Sequence, residues 1–386
     1  MTLRLCLAAL LALAQSPKDD SDAVAMIGRL GGKLTRDEKR PGRPIVTVFL
    51  GGSPATDADV ALLKPLRELE ELSLAGTRIT DAGLDHLAGM DKLRALHVAD
   101  TAVGDAGLEK LARLTGLELL GLKDTRVTDA GIKAIQGMKK LQWLGLRNTG
   151  VGDAALAHLK DLTQLPGISL SRTKVTDAGL AHLKGMTHLQ RIVLDHTAIT
   201  DAGLAHLKDL KELGTLDLTE TSVSDAGLEH LRGLENLQML ELSGTKVTDA
   251  GLVHLKELKK LRAAPGAAPG PVVPGVEAPK GLPPLPGIAL GRTKVTDQGL
   301  AHLEGLAGVK RLVLEGTAVT HAGLLHLRKM AALEALDLGN TAVGDEGIES
   351  LKGMAGLREL VVRGTRITDQ GLSDLSKALP KTKVTR

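Results

Sequence analysis

The stretch LEELSLAGTRITDAGLDHLAGM, Leu69 to Met90, consists of two unlike halves joined at a threonine. In the first half the alternation has period two: Leu72 and Leu74 point one way and Glu71, Ser73 and Ala75 the other, as on a short strand with one buried side. In the second half Leu84, Leu87 and Met90 recur every three residues, which marks one side of a short helix. The same stretch returns from Leu93 as LRALHVADTAVGDAGLEKLARL, and then again along the chain. Its marker threonines are Thr77, Thr101, Thr125, Thr149, Thr173, Thr197, Thr221, Thr245, Thr293, Thr317, Thr341 and Thr365, each 24 residues after the last save one interval of 48, and Ser53 extends the series backward. Such a period describes stacked strand-turn-helix units, each burying its apolar side against the next. Asp81 stands where a helix N-cap is expected. Its position holds Asp in twelve turns, with His321 the exception, and a cap contributes about 1 kcal/mol.

The pattern LxxLxLxxTx(V/I)TDxGLxxLxx(L/M), from about residue 45 to 386, resembles the leucine-rich repeat family, and its T-D-x-G-L half is similar to the cysteine-containing and bacterial subclasses of that family. The resemblance implies an α/β fold: a right-handed solenoid with parallel strands on its concave face and short helices on its convex face. The threonine row takes the turn where the family carries Asn or Cys. Its hydroxyls are expected to bond backbone groups of the neighbouring turn, at the strand spacing of about 4.8 Å.

With this ruler the segment RAAPGAAPGPVVPGVEAPKGLPPLP, residues 262 to 286, can be measured. It holds eight of the fifteen prolines and fills the length of one repeat, with Pro269 where the marker threonine is due. Gly275, Val276, Leu282 and Leu285 keep repeat positions while Ala264 and Gly266 replace strand residues, so it reads as a degraded repeat rather than an inserted linker, with a PxxP ligand as the functional alternative. The N-terminus, MTLRLCLAALLALAQS, has a charged head at Arg4, an apolar run from Leu5 to Ala14 and a small-x-small site ending at Ala14, the form of an export signal too short to span a bilayer. The expected organisation is a signal peptide (1–14), an N-terminal linker and helical cap (15–44) with Ala23, Ile27 and Leu30 at helical spacing, a repeat block (45–261), the degraded repeat (262–284), and a second block with a C-terminal cap (285–386) in which Val384 keeps the strand register.

Composition narrows the function classes. One Phe, one Trp and no Tyr leave a core built from aliphatic residues and no stacking platform for single-stranded nucleic acid. A net charge of +3 gives no electrostatic footprint for a nucleic-acid backbone. The one cysteine, Cys6, lies in the apolar run, so a cleaved chain has none and disulfide or thiol chemistry is excluded. Eight histidines fall in phase, from His86 to His326, but the separation of stacked helices, about 8–10 Å, is too wide for two ligands of one zinc ion. Gly31 to Lys33 lacks the spacing of a phosphate loop. No nucleophile-base or paired-carboxylate arrangement rises above what repetition produces, so we expect neither an enzyme nor a cofactor.

The outward strand positions remain, because they vary while the leucine frame does not. Trp143 is expected on a bare floor beside Leu119, Gly121 and Gly145, with Arg147, Arg191, Asp195 and Asp217 around it, and these six side chains form the candidate ligand site. The expected function is an exported, monomeric, non-catalytic scaffold, secreted or periplasmic, without a membrane span, that binds a protein or peptide through its concave surface; this rests on the resemblance. The alternative is a structural protein of the cell envelope with no discrete ligand, in keeping with the scarcity of aromatic anchors.

Overall fold

The computed structural model describes residues 20–258, 261, 285–306 and 308–386. The chain forms two compact units, one up to Val151 and the other from Gly152. The expected signal peptide and degraded repeat lie outside the described residues.

In the first unit a helix, Ser21–Arg29, buries Ala23, Met26 and Ile27. Leu30, expected on that side, ends the helix and is half-buried. Next come β1 (Lys33–Arg36), β2 (Ile45–Phe49), β3 (Glu71–Ser73), β4 (Ala95–His97), β5 (Leu119–Gly121) and β6 (Trp143–Gly145). Strand β1 pairs antiparallel with β2, a hairpin that the reading of 15–44 as a linker and helical cap did not foresee. From β2 onward pairing is parallel and in strict phase: Thr47, Glu71, Ala95, Leu119 and Trp143 form one outward row and Phe49, Ser73, His97, Gly121 and Gly145 the next.

The second unit repeats the scheme with β7 (Gly167–Ser169), β8 (Arg191–Val193), β9 (Thr215–Asp217), β10 (Met239–Glu241), β11 (Gly287–Ala289), β12 (Arg311–Val313), β13 (Ala335–Asp337), β14 (Glu359–Val361) and β15 (Lys383–Thr385). Strand β10 pairs directly with β11, Leu240 against Ile288, so the 48-residue interval is a single step of the ladder. In both units the central strand residues face inward: Leu72, Leu120, Leu216, Leu240, Leu312 and their counterparts from β2 to β14 have no exposed surface, and Val384 on the last strand is half-buried. Each such side chain contributes about 1.5–3 kcal/mol by leaving water.

The joints between turns differ from expectation in two respects. The N-cap is the threonine, not the aspartate: Thr80 has extended backbone and accepts from the Ala82 N–H, and Asp81 is the first helical residue. The aspartate instead reaches the following turn, where the Thr80 N–H and hydroxyl donate to Asp57 Oδ1 and Oδ2 at 2.8 and 2.7 Å. The same rung recurs at Asp105 to Thr128, Asp201 to Ser224 and Asp297 to Thr320, and Asp249 makes it with Thr296 across the long interval. The marker threonines, expected to bond the neighbouring turn, bond their own: the Thr77 hydroxyl donates to the Leu74 carbonyl at 2.6 Å. A carboxylate spans the gap because it accepts two donors at once; a hydroxyl four residues past a strand end finds its own chain first.

The rung explains the glycine of T-D-x-G-L. A Cβ on Gly83 would stand 2.5 Å from Asp57 Oδ1, and one on Gly107 2.6 Å from Asp81 Oδ1. The residue before each marker threonine lies in the left-handed region, filled by Gly76, Asp100, Asp124 and Asn148 in the first unit and by Arg172, His196, Glu220, Gly244, Arg292, Gly316, Asn340 and Gly364 in the second.

Candidate functional site

Alternation leaves the outward strand rows as the surface free to vary, and they differ between units. In the first, Leu119 and Trp143 stand side by side on β5 and β6, as expected. The floor beside them is not bare. The Trp143 indole lies over Gly145, its Nε1 3.4 Å from where a Cβ would be, and His97 lies over Gly121 with Nδ1 at 3.2 Å from the equivalent point. Each ring fills the room its glycine leaves. Trp143 is therefore only 6% exposed, while Phe49, at the β2 end of the neighbouring row that holds Gly145, is 40% exposed. Burial pushes the His97 imidazole below its usual range, and Glu71 pulls it partly back. Arg147 follows two residues after Gly145 and is half-buried.

In the second unit Arg191 opens β8, Asp217 closes β9 on the adjacent strand, and Asp195 lies just past β8 with its carboxylate 3.1 Å from His196 Nδ1. Burial lowers the Arg191 guanidinium. Burial raises the Asp217 carboxyl, against the pull of the Thr219 N–H, which donates to Oδ1 at 2.9 Å. The six expected residues thus fall in two groups, Leu119, Trp143 and Arg147 in one unit and Arg191, Asp195 and Asp217 in the other.

A pair that sequence reasoning did not join lies beside Asp217. Arg311, first residue of β12, has no exposed surface, and its Nη2 donates to Glu241 Oε1 at the end of β10. The intervening strand offers Gly287 and Ala289, small enough for the guanidinium to cross. Burial pushes Arg311 down to about 10, with the Asp217 charge working against the shift. Its Nε and Nη1 find no partner among the described residues. Glu241 and Arg311 are 70 residues apart, and with the degraded repeat counted as a turn they would be three strands apart rather than two. The signal that could have found them is the ladder step itself, which sequence does not reveal. Asp337 on β13 is likewise buried and raised by burial, with the Gly339 N–H donating to it at 2.7 Å.

Among the described residues no cluster of three His, Cys, Asp or Glu side chains could hold a metal ion, and no helix is long and apolar enough to cross a membrane.

Comparison with known proteins agrees with this geometry. The family described as Leucine-rich repeat region matches residues 72–324, and that described as Leucine Rich repeat matches 331–352 and 357–376. No curated protein matches the chain. Among solved structures it is similar to an internalin from Listeria monocytogenes, with 19% identity, a TM-score of 0.54, and coverage of 96% of this chain and 95% of that one. It is also similar to an LRR protein of Leptospira interrogans, with 16% identity, a TM-score of 0.52, and coverage of 84% and 80%. At these identities the likeness is one of fold.

Proposed function

We propose, since this chain belongs to the leucine-rich repeat family, that it is an exported scaffold binding a protein or peptide through the outward strand rows. The observation that carries this reading is the division of labour within each strand. The inward central residue is aliphatic and without exposed surface in turn after turn, while its outward neighbours range from Gly to Trp and from Arg to Asp. The lattice asks for an aliphatic residue at every inward position but sets no common residue type at the outward ones, so outward chemistry can vary to serve recognition. Leu119 and Trp143 would supply apolar contact, and Arg191, Asp195 and Asp217 charged contact. Proteins of the fold supply the analogy, not the partner.

One observation favours a structural role in the cell envelope without a discrete ligand: Trp143, at 6% exposure, offers little surface as an anchor. Site-specific photo-crosslinking in an envelope extract separates the readings. A benzophenone residue at Leu119 or Thr215 is expected to give adducts of defined mass, and one at Lys208 or Val253 on the helical side to give none. Adducts arising equally from both sides would overturn strand-row binding.

A further inference from the structure

The core row opening each strand segment holds Leu189, Leu213, Leu237, Val309 and Leu333, all at most 2% exposed. Leu261 and Leu285 both belong to this row by spacing, 24 residues apart. Because β10 pairs directly with β11, the stack has one slot for the two of them. Leu261 takes it: it is 1% exposed, and its carbonyl accepts the Gly308 N–H at 3.0 Å, one turn below Val309. Leu285 is left half-buried outside the core, packed on the outward rows against Ala335 and Val361 with Val313 beside it. These residues sit on β12, β13 and β14, and Ala335 and Val361 are covered to 0% and 6% exposure. Ala335 adjoins Arg311 in one outward row, Val313 and Val361 flank the buried Asp337 in the other, and a leucine of the same chain is seated on this aliphatic group, which has the form of a side-chain subsite.

We propose that the Val313, Ala335 and Val361 patch is a subsite for an aliphatic side chain of a partner peptide, and that Leu285 occupies it in the free chain. The proposal rests on the strand-row binding reading and names the second unit's anchor point. Leu285 is followed by Pro286, whose fixed φ presents the leucine without further ordering, so the fitting partner is an extended segment carrying leucine before proline. A partner's leucine would displace Leu285, and the chain's own residue would weaken apparent affinity by holding the competent state to a fraction.

The test is titration of the full chain with the capped peptide acetyl-Gly-Leu-Pro-Gly-amide, read from valine methyl resonances. Leu285→Ala is expected to bind the peptide at least about tenfold more tightly than the parent, the gain being the removed occupancy. The shifts should centre on Val313 and Val361, and Ala335→Asp in the same background should abolish them. Equal affinity for parent and Leu285→Ala, or shifts that spare both valines, would overturn the proposal. So would unfolding of Leu285→Ala, which would make Leu285 a core residue. The titration needs no natural partner, so its failure leaves the crosslinking result standing, and failed crosslinking leaves the subsite measurable.

Discussion

The two units share an interior and differ outside. Within the strands of the first, the outward positions from Thr47 to Gly145 carry one acidic residue, Glu71, among Thr, Ser, Phe, Ala, His, Leu, Trp and Gly; those of the second include Arg191, Asp217, Glu241, Arg311, Asp337, Glu359 and Lys383. Inward, both present the same buried leucines and isoleucines and the same aspartate rungs. Burial of the inward residues therefore dictates the lattice, and the outward rows vary upon it.

The largest test of that contrast is at its most charged point. Removing one partner of a buried ion pair leaves the other uncompensated, so Glu241→Ala is expected to destabilise by about 3–5 kcal/mol. Glu71→Ala, on the half-buried outward row of the first unit, should stay within about 0.5 kcal/mol. Replacing both partners, Glu241→Leu with Arg311→Met, should recover most of the loss, because the two orphaned Arg311 donors go as well. Denaturant midpoints read all three, and a Glu241→Ala midpoint equal to the parent would mean the pair carries no net burden.

The shared lattice should respond alike in both units. Gly107→Ala and Gly203→Ala each push a methyl into the carboxylate of the preceding turn, Asp81 and Asp177, and should cost about 1–3 kcal/mol, equal to within about 0.5 kcal/mol. Gly347 faces His321 in place of the aspartate, and a Cβ there would meet not a carboxylate but the Leu324 Cδ1 at 2.8 Å, the far end of a flexible side chain that can give way, so Gly347→Ala should cost less than the other two. A Gly347 variant as damaged as the other two would show that crowding by the neighbouring aliphatic side chains, rather than the rung, is what requires glycine.

Most of the fold was legible because period two and period three leave their mark in leucines, as in Leu72 and Leu74 against Leu84 and Leu87. Hydrogen bonding was legible only in part. Thr80 and Asp81 are adjacent polar residues, each able to cap, and which one reaches the next turn depends on its distance from the stack rather than on its chemistry. At the candidate site, spacing placed Leu119 beside Trp143 but could not say that Trp143 and His97 would lie down over Gly145 and Gly121, since rotamers answer to space and not to sequence position. Arg311 with Glu241 was hidden for another reason: a count along the chain cannot tell a degraded turn from a bypassed one.

A smaller difference between the units lies in their left-handed residues. The first unit places Gly76, Asp100, Asp124 and Asn148 there, types that tolerate positive φ, while the second, beside tolerant residues such as Gly244 and Asn340, also strains Arg172, Glu220 and Arg292 into it. Arg172→Gly, which gives up only the exposed contact of Nη2 with His196 Nε2 at 3.2 Å, should therefore stabilise by about 0.5–1 kcal/mol, the relief of Cβ strain less the entropy of an added glycine. Asp100→Gly should gain less. Arg292→Gly should gain nothing, because Arg292 Nη2 also holds Glu220 at 2.7 Å. A lowered midpoint for Arg172→Gly would remove strain as the account of this position.

The last contrast is in acid response, and solvent screening makes it the weakest effect. In the first unit burial lowers the folded pKa of His97 below the unfolded value of about 6.5, so the unfolded state binds the proton more readily. The His97 contribution is present above that value and is lost as pH falls from about 6.5 toward the folded pKa. In the second unit burial raises the folded pKa of Asp217 and Asp337 above the unfolded value of about 3.9, so here the folded state holds the proton better. Their contribution is present below about 3.9 and is lost as pH rises through the folded pKa, so acidification acts on the second unit with the opposite sign to its action on the first. Hydrogen exchange separates the units, with Leu96 and Leu120 reporting on one and Leu216 and Leu336 on the other. His97→Gln should flatten the acid loss of protection at Leu96 and Leu120, and Asp217→Asn should flatten the acid gain at Leu216. Identical pH profiles for parent and variants in both units would show that neither outward row couples its protonation to the lattice beneath it.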